Sequence, residues 1–147
     1  MTDRTGHCLC GAVSFTARGM EDSFSTCYCG MCQRWAGGPF SGVSVKTENL
    51  KIEGAAHVGT RKSSGFAERC FCTKCGASLW YRLTSGKYVG NTSISVGLLD
   101  ERAGLTLKTE YFVDYKDSSN QVPSDVVQYS EADVEVMIAN FTGSEAP

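Results

Sequence analysis

Cys70-Phe71-Cys72-Thr73-Lys74-Cys75-Gly76 is the stretch on which the reading of this chain turns. Cys27-Tyr28-Cys29-Gly30-Met31-Cys32 writes the same pattern, Cys-aromatic-Cys-x-x-Cys, earlier in the sequence. Side chains two apart on a strand share a face, and a C-x-x-C turn brings two sulfurs toward one ion. Each block can therefore present converging thiolates, and a tetrahedral zinc site is the natural consequence. Outward from these blocks lie only Cys8 and Cys10; none of the 8 cysteines follows Cys75.

Glycine divides the sulfurs. Gly11 follows Cys10 and Gly76 follows Cys75, where a residue free to turn tightly suits a zinc knuckle, whereas Gln33 follows Cys32. Cys8, Cys10, Cys72 and Cys75 are therefore expected to form a closed structural zinc site that staples the N-terminus to a distant hairpin. Cys27, Cys29 and Cys32 remain as a three-ligand set with an open position, the arrangement of a catalytic zinc, and are the candidate catalytic residues. A soft three-thiolate site suits a further sulfur, and a coordinated thiol is deprotonated, so the set looks built to activate a small thiol. Cys70 is left unassigned, with a place as fourth ligand of the second site open to it. Arg34 and Arg69 stand beside the clusters and are the candidate contacts for a carboxylate of the substrate.

The rest of the chain is mostly strand. Ala12–Ala17, Phe40–Val45, Ser78–Leu83, Tyr88–Val96 and Leu105–Tyr115 alternate with the period of half-buried strands. Helical signals are a short turn over Gly30–Trp35 and a C-terminal helix opened by Ser130 and Asp133 as a capping box. In that helix Val134, Met137, Ile138 and Phe141 form an apolar stripe expected to pack into the core. Trp35 and Trp80 are read as packing residues, and His7 as a neighbour of a ligand rather than a ligand itself. No Pro- or Ser-rich tract suggests a linker, so residues 1–142 are read as one domain and 143–147 as a flexible tail.

Composition narrows the function. With 147 residues, 41% apolar and 20% charged, the chain has the make-up of a globular domain rather than a disordered one. A formal charge of −2 offers no field for nucleic acid, and no apolar run is long enough for a membrane span. The expectation is a cytoplasmic protein whose thiols serve metal rather than disulfides. Oligomeric state is not legible.

Gly6-His7-Cys8-Leu9-Cys10-Gly11-Ala12-Val13-Ser14-Phe15, Cys27-Tyr28-Cys29-Gly30-Met31-Cys32-Gln33-Arg34, and Ser63-Ser64 followed by Arg69-Cys70-Phe71-Cys72-Thr73-Lys74-Cys75-Gly76 occur in that order. Together they resemble the glutathione-dependent formaldehyde-activating enzyme (GFA) family, also called the centromere protein V domain. The resemblance runs to about Asp100. It implies a β-tent, Mss4-like fold, a structural zinc at Cys8, Cys10, Cys72 and Cys75, and a second zinc at Cys27, Cys29 and Cys32. The activity implied is carbon–sulfur lyase chemistry, the joining of glutathione to formaldehyde as S-hydroxymethylglutathione. Two departures stand out: Tyr28 replaces the family's usual histidine, and Cys70 stands where the family often has glycine. The alternative reading is a zinc-stabilised binding or chaperone-like module without catalysis, a use to which the β-tent fold is also put.

Overall fold

Polar–apolar alternation becomes strands wherever one face can be buried. In the computed structural model, which describes residues 1–121 and 124–142 (side chains to 140), the strands are β1 (Thr2–His7), β2 (Ser14–Met20), β3 (Ser23–Cys27), β4 (Phe40–Lys46), β5 (Leu50–Glu53), β6 (Val58–Lys62), β7 (Ala67–Cys72), β8 (Ser78–Leu83), β9 (Asn91–Ser95) and β10 (Thr106–Tyr111). Helices are α1 (Gly30–Ala36) and α2 (Glu131–Thr142). The architecture is mainly β with a short C-terminal helix, as expected.

The chain divides into two compact units, Met1–Lys116 and Asp117–Pro147. In the first, β1-β2-β5 form one sheet and β10-β3-β4-β9-β8-β7-β6 a second. Pairing is antiparallel except between β10 and β3, which run parallel. Val13, Phe15, Ala17 and Met20 from the small sheet and Val43, Trp80 and Ile94 from the large one meet in a core that also takes in Cys8, Cys70 and Cys72. Because alternate residues face opposite ways, burying Val43, Val45, Thr92 and Ile94 turns Gly42, Ser44, Asn91 and Ser93 to the other side of the large sheet. There the register sets Arg69 opposite Tyr81, Tyr81 opposite Ser93 and Ser93 opposite Ser44, a file of side chains across four strands.

The sequence reading of residues 78–83 matches β8 in full, while the span 88–96 contracts to β9 and 105–115 to β10, which stops at Tyr111. β1, β3, β5, β6 and β7 lie outside the alternating runs. In the second unit the capping box forms: the Asp133 N–H donates to Ser130 Oγ at 3.2 Å, and the Ser130 N–H to Asp133 Oδ2 at 2.8 Å. Of the stripe on α2, most of the described side chains are exposed. Val134 and Met137 stay exposed and Ile138 is half-buried, while the side chain of Phe141 and the tail 143–147 lie outside the described residues.

Candidate functional site

Cys8 follows β1, Cys72 ends β7, and Cys10 and Cys75 sit in the turns that follow each. The four sulfurs lie within 4.8 Å of one another. Cys8 and Cys10 are 3.6 Å apart and Cys10 and Cys72 3.9 Å. The edge of a tetrahedron built on ~2.3 Å zinc–sulfur bonds is about 3.8 Å, so the donor set fits zinc. The two turns match. Cys8 N–H donates to Val13 O (2.9 Å) and Gly11 N–H to Cys8 O (3.0 Å); Cys72 N–H donates to Ala77 O (2.9 Å) and Gly76 N–H to Cys72 O (2.8 Å). Gly11 and Gly76 have φ of 74° and 76°, a left-handed backbone that explains the glycine after each pair. Backbone N–H groups also face the sulfurs: Val13 N–H reaches Cys8 Sγ at 3.3 Å, and the Ala77 N–H brings the Cys75 thiol down to about 6.

The second set is built differently. Cys27 ends β3, Cys29 caps α1 and Cys32 stands in its first turn, with the Cys32 N–H on Cys29 Sγ at 3.5 Å. Gln33 follows Cys32 because the chain continues as helix and turns only at Gly37, where φ is 76°. These three sulfurs also lie within 4.8 Å of one another. Burial pushes the Cys27 thiol up to about 12 and raises Cys32 as well, against the pull of Arg69. For Cys29, burial is outweighed by hydrogen bonds led by the Cys32 N–H, and its thiol comes down. Three such groups do not all ionise without a cation among them, and a zinc ion with one open position fits the three donors.

The two sets differ in what lies in front of them. Cys27, Cys29 and Cys32 line a cleft of about 1070 Å³ over the large sheet, at the upper end of the range for small-molecule sites.

Against known families, residues 3–115 match the model of the glutathione-dependent formaldehyde-activating enzymes. The chain belongs to this family. A Schizosaccharomyces pombe protein named an uncharacterized lyase is 38% identical over 87 residues, 59% of this chain. That match spans 63% of the curated relative's length. Among solved structures, a Rhodobacter sphaeroides protein superposes with a TM-score of 0.56 at 20% identity, over 71% of this chain and 99% of that one, a likeness of fold.

The GFA resemblance left Cys70 and Tyr28 open, and the geometry answers for both. Cys70 joins neither sulfur set: it is fully buried in the core, its Sγ 3.4 Å from Thr60 Oγ1. Its neighbour Arg69 occupies the cleft side of β7, and strand parity sends Cys70 the opposite way. Tyr28, between Cys27 and Cys29, donates from its hydroxyl to Glu110 Oε1 at 2.6 Å on β10; Lys116 Nζ binds the same oxygen at 2.8 Å and lies 5.2 Å from the Tyr28 ring. Tyr28 therefore ties the turn between the cysteines to the parallel strand.

Arg69 is only 5% exposed. It donates to Ser63 Oγ, lies 3.3 Å from Cys32 Sγ, and sits over the rings of Trp35 (5.5 Å) and Tyr81 (5.1 Å). It is placed as a counter-charge to the sulfurs. Arg34 is exposed on the cleft lining, as is Lys108 of β10, and among the described residues neither meets a carboxylate. Sequence reasoning passed over Lys108, Tyr81 and Ser93. No local motif marks them, since each reaches the cleft only through the register of the strands. Trp80 is a core residue, as read, while Trp35 packs on Phe40 with ring centroids 4.9 Å apart.

Proposed function

We propose that this GFA-family protein is a zinc-dependent, carbon–sulfur lyase-type enzyme that adds a small thiol, glutathione first, to an aldehyde such as formaldehyde. The observation that carries the reading is the contrast between the sulfur sets: four close on one another, while three face a large cleft. Cys8, Cys10, Cys72 and Cys75 hold the structural zinc and Cys27, Cys29 and Cys32 the second. Bound at the second set, zinc supplies a Lewis acid that keeps an incoming thiol deprotonated. A reducing, cytoplasmic setting suits eight free thiols.

The chain's own groups do the rest. Arg34 and Lys108 face the cleft as cations suited to the carboxylates of a peptide thiol. Arg69, fixed beside Cys32, offsets the negative charge of the sulfurs. Addition forms one carbon–sulfur bond, sends the carbonyl π pair to oxygen and requires one proton there, with no change of oxidation state. Tyr81 is placed to supply it. Its hydroxyl has no hydrogen-bond partner among the described residues, it lines the cleft beside Arg69, and burial holds its proton above the usual phenol range.

The test is calorimetric titration of zinc-replete protein with glutathione, alongside a Cys29→Ser variant, followed by an exchange assay with formaldehyde. Binding by wild type, its loss in the variant, and faster adduct formation are expected. No binding by wild type would move the protein to the scaffold reading.

A further inference from the structure

The rim of the cleft is aromatic. Phe66 (51% exposed) and Tyr88 (61%) stand at the β7–β8–β9 side, and Tyr111 (51%), Phe112 (57%) and Tyr115 (61%) at the β10 side. Between the two banks, Ser25, Ser44 and Ser93 line the cleft floor beside Cys27, Gly42 and Phe40, and none of these three hydroxyls has a hydrogen-bond partner among the described residues. Gly42 keeps this floor low. A Cβ there would meet Ser93 Oγ at 2.2 Å and the Phe40 ring at 2.9 Å.

One residue in the rim is conformationally costly. Phe112 has φ 57° and ψ 48°, and among the described residues it alone takes a positive φ without being glycine. For a bulky residue that backbone costs on the order of 1–2 kcal/mol. Core packing does not repay it, because the ring is more than half exposed. The strained residue follows β10 and opens the turn in which Tyr115 N–H donates to Phe112 O at 3.0 Å, setting the two rings 6.2 Å apart and tilted by 57°. Strained residues concentrate at ligand clamps, where what they hold stabilises the bound state rather than the fold.

We infer that the Phe112–Tyr115 pair is a clamp for an aromatic or bulky apolar group on the carbonyl partner, so that this cleft accepts aryl or extended alkyl aldehydes in preference to a one-carbon one. A one-carbon aldehyde has no apolar surface to set against these rings. This inference rests on the thiol-addition reading above and names the substrate class for the same site.

The experiment compares two unreactive thioethers that mimic the adducts, S-methylglutathione and S-benzylglutathione, by calorimetry on the zinc-replete full chain. The benzyl compound should bind about tenfold tighter or better, as expected for an aromatic ring packed against the exposed faces of the pair. Phe112→Gly should remove most of that preference while raising the melting temperature, since glycine relieves the backbone; a merely structural Phe112 would instead lower it. Tyr115→Ala, at an unstrained position, should reduce the preference with little change in melting temperature. Equal affinity of wild type for both compounds overturns the clamp and leaves the thiol-addition reading standing. A preference that survives in both variants overturns the assignment to this pair. Failure of glutathione and both thioethers to bind overturns the thiol-addition reading and the clamp with it.

Discussion

Tyr28 and Tyr81 lie close to the same three sulfurs and have opposite fates. The Tyr28 hydroxyl is committed to Glu110, so it positions the turn between Cys27 and Cys29 and has no proton to give. The Tyr81 hydroxyl has no such partner and faces the cleft. Tyr81→Phe should lower kcat for adduct formation by about a hundredfold, the lower end for a lost general acid, with KM for the thiol and zinc content unchanged. Steady-state kinetics with metal analysis would check this, and an unaltered kcat would remove Tyr81 from the mechanism. Glu110 carries a pH signature. Its carboxyl is held below the ordinary range by the Lys116 ammonium and then by the Tyr28 hydroxyl. The tie therefore stabilises the fold at pH values above the unfolded glutamate's ~4.3 and fades as the pH falls through the lower folded value. Glu110→Gln should melt below wild type at pH 6 to 7, and the gap should close as pH drops under about 4. A gap constant with pH would place the interaction elsewhere.

β7 shows what a strand does to a motif. Cys70 and Cys72 look equivalent to Cys27 and Cys29 in the repeat, but β3 ends at Cys27 and gives way to a helix cap, while β7 runs on to Cys72. Cys27 thus faces the cleft and Cys70 the core. Cys70→Ala should leave zinc stoichiometry unchanged and cost about 1–2 kcal/mol, the effect of a small core deletion. Cys72→Ala should lose a zinc and the fold. Denaturant melts with metal analysis separate the two, and loss of a zinc from Cys70→Ala would return Cys70 to the ligands.

Across the molecule the two sulfur sets are unequal. One gathers four sulfurs from the end of β1 and from the β7–β8 hairpin of the other sheet; the other gathers three that open on the cleft. Structural zinc contributes on the order of 10 kcal/mol or more, so its removal unfolds a domain of this size. Mild chelation should extract one zinc with the strand-rich circular dichroism intact. Stronger chelation should extract the second with cooperative unfolding. Simultaneous loss of both ions would contradict this division. Among the described residues no helix is long and apolar enough to cross a membrane.

The cysteine spacings, with glycine at 11 and 76 and none after Cys32, were enough to separate four sulfurs from three and to place them on a mainly β framework. Spacing and backbone handedness are local properties, and local sequence carries them. What only the tertiary structure decided is which way each side chain looks: Cys70 into the core, Arg69 over two rings, Tyr81 and Ser93 into a shared cleft, Phe112 out from a strained turn. Strand parity counts from where a strand begins and which partner it pairs with, and those depend on residues far away in the chain. A parallel strand from residues 106–111 forms one wall of the cleft beside Cys27, and no motif near the cysteines announces it.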